Sequence, residues 1–340
     1  MLGCARTGTG KTAAFALPTL QRLDRDSRHQ NKARRPIKAL AVLPTRELAI
    51  QINESFKIYG KYTGLSSTVI YGGVGQNPQV RKLKRGVDIV VATPGRLLDL
   101  MRQGHVNLSK VEVLILDECD RMLDMGFIRD IRKIVKRTPR ENRQTLLFSA
   151  TIPREIIKLA DNIQQDPYEI NISPGKPTLD NIKQAVFLIS KKRKQALLQD
   201  LLADSDVKKA LVFTRTKRGA NRVVKKLQRK GVSAQPIHGN KSQSARQRAL
   251  KKFRRGKIRV LVATDVASRG LDVDDISHVI QYDLPDVPKT YVHRIGRTAR
   301  AGAGGIAISF CEQTARQKLK AIEKEIHMRV KTIENHPYNN

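Results

Sequence analysis

Tryptophan is absent from the 340-residue sequence, and all aromatics together make up only 4% of it. A row of aromatic platforms on which nucleobases could stack is therefore not expected. Cysteine is scarce as well. Cys4, Cys119 and Cys311 stand far apart, with no C-x-x-C spacing, which argues against zinc, and an odd count fits no disulfide framework. A reducing, cytoplasmic setting follows. No apolar run approaches the ~18 residues needed to span a bilayer, and no charged leader with an apolar block and small-residue cleavage site opens the chain. Neither export nor a membrane partner is expected. Acidic residues are the largest deficit: 31 Asp+Glu face 65 Lys+Arg, a net charge of +34.

That imbalance points to a polyanionic partner. It is uneven, since residues 173–340 carry 36 basic and 14 acidic side chains, or +22, against +12 for the first half. Part of it reads as ordinary solvated helix surface, notably Arg222-Val-Val-Lys225-Lys226 and Lys251-Lys252-Phe-Arg254-Arg255. With so few aromatics, contacts to phosphate and sugar are expected, hence little sequence preference. A membrane surface is the weaker reading, because no basic amphipathic segment with large apolar anchors occurs.

A chain of this length is too long for one ordinary core, and two domains are the natural expectation. Short, β-branched-rich apolar blocks at 2–5, 39–43, 67–71, 88–92, 113–116 and 144–148 lack polar alternation, as parallel strands covered on both faces do. Helical spacing fills the intervals, for example 47–59 and 127–137. Two prolines and a glycine interrupt the pattern at the linker, 173–181. Alternation then restarts, with strands at 210–213, 233–237, 260–263, 278–282 and 305–310. The fold class is α/β, two similar layered units in tandem, at 1–172 and 182–330. A closing helix is expected at 318–330, and 331–340 reads as a tail that frays at 336–340.

The organising stretch is Cys4-Ala5-Arg6-Thr7-Gly8-Thr9-Gly10-Lys11-Thr12, between a strand-like block and a helix-forming run. Gly8 and Gly10 let the backbone turn so that successive N–H groups face a phosphate; Lys11 adds a point charge, and the Thr12 hydroxyl can ligate Mg²⁺. The following helix aims its positive end at the same anion. Ala5 stands where the generic G-x-x-x-x-G-K-[ST] pattern has its first glycine. Read blandly, the segment is a Gly-Thr loop with an incidental lysine. A second element is the apolar strand 113–116 running straight into Asp117-Glu118-Cys119-Asp120. Carboxylates at the C-terminal end of a parallel strand lie where such sheets bind ligands. Asp117 would hold Mg²⁺ and Glu118 would orient and deprotonate the attacking water; a plain acidic turn is the alternative.

Further motifs follow in order: Pro44-Thr45-Arg46-Glu47-Leu48, Gly72-Gly73, Thr93-Pro94-Gly95-Arg96, Ser149-Ala150-Thr151, Leu211-Val212-Phe213-Thr214, His238-Gly239-Asn240 with Gln243-x-x-Arg246, the segment 263–272, and His293-Arg294-Ile295-Gly296-Arg297-Thr298-Ala299-Arg300. Together, over nearly the whole chain, they resemble the DEAD-box ATP-dependent RNA helicases of superfamily 2, most closely the bacterial RhlE-like branch. The resemblance implies tandem RecA-like domains and local, sequence-independent opening of RNA duplexes driven by ATP with Mg²⁺. ATP would contact Ala5, Arg6, Thr7, Gly8, Thr9, Gly10, Lys11, Thr12 and Asp272. Arg297 and Arg300 would reach the γ-phosphate as arginine fingers, worth roughly a thousandfold or more in hydrolysis. RNA would be held by Pro44, Thr45, Arg46, Gly72, Gly73, Thr93 and Arg96 in the first unit. Gly239, Gln243, Arg246 and Thr264 would extend that track in the second, through backbone and 2′-OH contacts. Ser149, Thr151, Asp265, Arg269 and His293 would couple the two sites, with Asp265 and Arg269 fixing their loop by ion pairing.

Two departures from the family pattern stand out. Cys119 replaces the alanine of the third motif position, giving D-E-C-D. The family also carries an aromatic and a glutamine segment upstream of the phosphate loop, whereas Ala5 is only four residues from Met1. The expectation is an N-terminally truncated chain in which adenine recognition falls on no residue and a shortened central strand weakens the first unit. Family relatives act in ribosome assembly and RNA decay, so proteins of those pathways are the expected partners of a monomer. A non-catalytic RNA clamp and a DNA-translocating helicase are the competing readings.

Overall fold

Apolar tetrapeptides form the centre of both halves of the chain. The computed structural model describes residues 1–5, 9–27, 35–172, 181–265, 276–299, 304–334 and 336–338, and divides into two compact units, Met1–Lys176 and Pro177–Asn340. In the first, strands β1 (Leu2–Cys4), β2 (Ala39–Val42), β3 (Ser67–Ile70), β4 (Ile89–Ala92), β5 (Val113–Leu116), β6 (Gln144–Ser149) and β7 (Glu169–Asn171) form one parallel sheet. Their order is β3-β4-β2-β5-β6-β1-β7. Leu40 and Val42 of β2 pack into one apolar layer and Ala39 and Ala41 into the other. Both faces are covered, which is why the strand sequences do not alternate. Helices α1 (Lys11–Ser27) and α2 (Arg46–Tyr59) cover one face, around Phe15, Phe56 and Phe148. Across the sheet lie α3 (Asn77–Lys84), α4 (Pro94–Arg102), α5 (Cys119–Asp124), α6 (Ile128–Val135) and α7 (Arg154–Ile163).

β1 has three residues, all paired on both sides, with Cys4 opposite Ser149 of β6 and Asn171 of β7. Gly3 permits this: a Cβ there would stand 2.8 Å from the Phe148 ring. The pairing continues past the strand through Ala5 N–H to the Ser149 carbonyl at 3.0 Å.

In the second unit, β8 (Ile182–Leu188), β9 (Ala210–Phe213), β10 (Ala234–Ile237), β11 (Val260–Ala263), β12 (His278–Gln281), β13 (Gly305–Cys311) and β14 (Lys331–Ile333) form a parallel sheet of order β10-β11-β9-β12-β13-β8-β14. Numbered from its own first strand, this is the order of the first sheet. Helices α8 (Lys194–Ala203) and α9 (Lys217–Gln228) pack on one face, and α10 (Gln243–Arg254), α11 (Pro288–Ile295) and α12 (Arg316–Ile326) on the other.

The C-terminal expectation is corrected here. Residues 331–333 are a strand on β8, not tail. His336 beyond it does not fray: Nε2 lies 3.1 Å from the Leu188 carbonyl and its ring stacks edge-on to Phe187. Tyr338 donates its hydroxyl to Asp200.

Candidate functional site

The sequence-predicted residues of the first unit gather at the C-terminal ends of its strands, in two groups set by strand order. Pro44, Thr45 and Arg46 follow β2, Gly72 and Gly73 follow β3, and Thr93 and Arg96 follow β4, three neighbouring strands. Asp117 and Glu118 end β5, Ser149 ends β6, and the phosphate loop leaves β1, the next three.

In the phosphate group, Gly10 has φ +89°, a conformation that glycine adopts without steric penalty, and Lys11 opens α1. Its Nζ donates to the Ala5 carbonyl at 2.5 Å, across the loop. Arg6, Thr7 and Gly8 lie outside the described residues. Asp117 is 4% exposed. Burial pushes its carboxyl up to about 6, with neighbouring Glu118 adding to the rise and Lys11 and Arg121 opposing it. Glu118 caps α5 in the left-handed region at φ 55°, ψ 48°, a strained position for a side chain of this size. Its carboxylate is held by Arg121 Nη1 at 2.5 Å, with both side chains about nine-tenths buried.

Because the folded-state pKa of Asp117 lies above its ordinary value of 3.8, this group favours folding below pH ~4. That contribution is lost as pH rises through ~6. Asp117→Asn is therefore expected to stabilise the first unit at pH 7 by about 2–3 kcal/mol. The advantage should shrink to nothing below pH 4; urea midpoints at pH 4 and 7 check this.

Asp120, which the motif reading left without a role, is the hub that joins β5 to β6. Its amide donates to Ser149 Oγ at 3.1 Å, while Oδ2 accepts from the Thr151 amide at 3.1 Å and the Thr151 hydroxyl at 3.2 Å. Ser149 Oγ donates in turn to the Thr151 carbonyl at 2.6 Å. Arg121 was missed too, although its i+3 spacing from Glu118 marks the pair. Cys119 is wholly buried in the apolar layer, and burial holds its thiol protonated, well above the ordinary value. Cys4 and Cys311 are buried as well.

In the other group, Thr45 caps α2 by accepting from the Leu48 amide at 3.4 Å. Gly73 has φ +77°, and a Cβ on it would fall 2.1 Å from Arg46 Nη1, so the second glycine of the pair is what lets the guanidinium lie over the loop. Arg96 donates to the Val74 carbonyl and pairs with Asp99, while its Nη1 is buried with no partner among the described residues.

The second unit repeats this layout. Thr214, Gly239 and Thr264 follow β9, β10 and β11, the counterparts of β2, β3 and β4. Thr216 caps α9 as Thr45 caps α2, accepting from the Gly219 amide at 3.0 Å. Gln243 and Arg246 are buried on α10. His238 meets Asn221 at 3.0 Å, and burial, then Lys241, Lys217 and Arg246, push its imidazole down. Arg297 is 5% exposed, and His293 is half-buried. Asp265 pairs with Arg294, through Nε at 2.6 Å and Nη2 at 2.8 Å; its expected partner Arg269 lies outside the described residues, with Asp272 and Arg300. Helical spacing could have singled out Arg294, which shares the inward face of α11 with Tyr291 and Ile295.

Two family profiles match the chain: "DEAD/DEAH box helicase" over residues 1–159 and "Helicase conserved C-terminal domain" over 193–302. The ATP-dependent RNA helicase RhlB of Pseudomonas syringae is 44% identical over 331 residues, covering 97% of this chain and 83% of the relative. The chain belongs to the DEAD-box family of ATP-dependent RNA helicases. The DEAD-box helicase CshA of Bacillus cereus is 43% identical over 95% of the chain, which spans 60% of that relative's length. Among solved structures, Saccharomyces cerevisiae Dbp5 bound to RNA and ADP BeF3 is similar at TM-score 0.83 and 32% identity, covering 98% of this chain and 85% of that one. The two sheets are thus the tandem RecA-like domains of this family of ATP-hydrolysing enzymes. The Cys119 variant of the box sits within that frame.

Proposed function

We propose that this chain couples ATP hydrolysis to local, sequence-independent opening of RNA duplexes or remodelling of RNA–protein complexes. The observation that carries the reading is the division of one sheet edge: phosphate-type residues on β1 and β5, backbone-gripping residues on β2, β3 and β4, and the Asp120–Ser149–Thr151 hydrogen bonds at β6. Glycine amides and helix N-termini there grip phosphate without reading bases.

The loop from Ala5 to Thr12 and Asp272 bind ATP, with Lys11 on its outer phosphates. Thr12 and Asp117 are the residues that would hold Mg²⁺. A buried carboxylate only partly offset by Lys11 suits a cation, and Mg²⁺ takes few protein ligands beside phosphate and water. The ion would supply charge neutralisation on the phosphates. Glu118, indexed by Arg121, orients the water and takes its proton. Arg297 and Arg300 carry the arginine-finger role that the family pattern gives them. Ser149, Thr151, Asp265, Arg269 and His293 couple the nucleotide to the RNA-binding residues. The domains are taken as 1–172 and, around a linker at 173–181, from 182 on through β14, acting as a cytoplasmic monomer with RNA, and with ribosome-assembly or RNA-decay proteins. No helix among the described residues is long and apolar enough to cross a membrane.

The test is ATP turnover by the purified chain alone, with single-stranded RNA, and with DNA of the same sequence. Stimulation by RNA and not DNA is expected. RNA binding without turnover would make it a clamp, and equal stimulation by DNA would make it a DNA translocase.

A further inference from the structure

Between Asp206 and Asp265 the chain carries nineteen lysines and arginines and not one aspartate or glutamate. This run folds as β9-α9-β10-α10-β11, the half of the second sheet at whose strand ends Gly239, Gln243, Arg246 and Thr264 sit. On α9, Ala220, Val223, Val224 and Leu227 turn inward at i, i+3, i+4, i+7. Arg218, Arg222, Lys225 and Arg229, at i, i+4, i+7, i+11, fall on the opposite face, with Lys226 beside them, and all five are exposed. They form a ridge about 17 Å long at 1.5 Å per residue. None of the five makes an ion pair with a described residue.

Solvation alone does not explain such a ridge. Like charges at i, i+4 repel, and Lys217 and Arg218 occupy the first turn, where the helix dipole disfavours cations. α10 differs: Lys251, Lys252 and Arg254 lie in its last turn, where the dipole favours them. The α9 ridge also begins at the strand-end residues, because Lys217 Nζ donates to Asn240 Oδ1 at 2.6 Å, next to Gly239. From there α9 runs back alongside β10, the edge strand.

We propose that the exposed face of α9 is a second RNA-binding surface, holding through its phosphates the RNA that flanks the segment gripped at the strand ends. The proposal rests on the RNA-helicase reading above and adds residues to it that no family motif includes.

The experiment compares wild type with the full-length fourfold variant R222Q/K225Q/K226Q/R229Q. Each is titrated with a short single strand, of the minimum length that binds, and with the same strand extended at both ends, across a salt series. For the long strand, the variant is expected to bind about tenfold or more weakly at low salt. Its slope of log affinity against log salt should be shallower by about 3, at ~0.7 per lost phosphate contact. Affinity for the short strand and the turnover it stimulates should not change. A charge-keeping variant, R222K/R229K, should behave as wild type. An unchanged long-strand slope, or equal losses for both strands, would overturn the proposal. So would an unchanged slope with loss of polyglutamate binding, which assigns the ridge to an acidic polypeptide. Wild-type chain that binds both strands yet hydrolyses no ATP would count against the helicase reading alone, while the slopes still decide the ridge.

Discussion

Replacing Glu118 by glutamine is expected to lower RNA-stimulated ATP turnover by about 10²–10⁴-fold, the range for loss of a positioned general base, while ATP-dependent RNA binding persists. The substitution keeps shape and one acceptor oxygen but removes the basic group. Only the step that needs a proton acceptor is lost, and RNA should stay trapped for as long as ATP is uncleaved. Lys11→Ala is the contrasting variant. It removes the point charge assigned to the outer phosphates, so nucleotide affinity and turnover should fall together. Single-turnover hydrolysis and nucleotide titration separate the two patterns. Wild-type turnover in Glu118→Gln would take the base assignment from this residue. Arg121 enters the comparison because its guanidinium holds the carboxylate in place; a glutamine amide accepts that bond more weakly, so part of the loss belongs to positioning.

The second large effect is expected at Arg294, where alanine should destabilise the second unit by about 3–5 kcal/mol. The guanidinium is 3% exposed. Beyond its fork to Asp265, its Nη1 donates to Gln281 Oε1 at 2.5 Å and the Asp283 carbonyl at 2.8 Å, and it lies 4.8 Å from the centre of the Phe213 ring. Truncation strands the wholly buried Gln281 oxygen away from water and leaves the partly buried Asp265 carboxylate without its fork, and an orphaned buried acceptor costs more than its bond contributed. Lysine should recover little, since one ammonium cannot reproduce a planar fork. The check is the denaturant midpoint of the second unit's transition. An unshifted midpoint would mean that the network is solvated when cut and carries no structural weight.

Much of this architecture was legible in the chain. Strands buried on both faces announce themselves as apolar runs, so β2, β5, β9 and β11 were found where they lie. The three strands that were missed are of another kind. β7 is exposed at all three residues, β14 is Lys-Thr-Ile at a sheet edge, and β8 buries only Ile182 and Val186 of seven. Their strand state comes from a neighbour's hydrogen bonds, which no local pattern encodes. The candidate site shows the same division. Motif residues fell at strand ends, as phosphate-loop and acidic-pair chemistry requires. Asp120, Arg121 and Arg294 act on other side chains of the chain, and motif reading, which looks toward the ligand, passed over them. Asp265 was read as an ion-pair former with Arg269, which lies outside the described residues; the pair seen among the described residues is with Arg294 of α11, which no local pattern around Asp265 encodes.

All three cysteine thiols, Cys4, Cys119 and Cys311, are free and buried. A maleimide dye added to the folded chain thus meets no accessible thiol, with no prior cysteine removal. One engineered surface cysteine in each unit would then be the sole attachment points for a donor–acceptor fluorophore pair. The separation of the two dyes could then be compared with and without nucleotide in single molecules on an otherwise unaltered sequence.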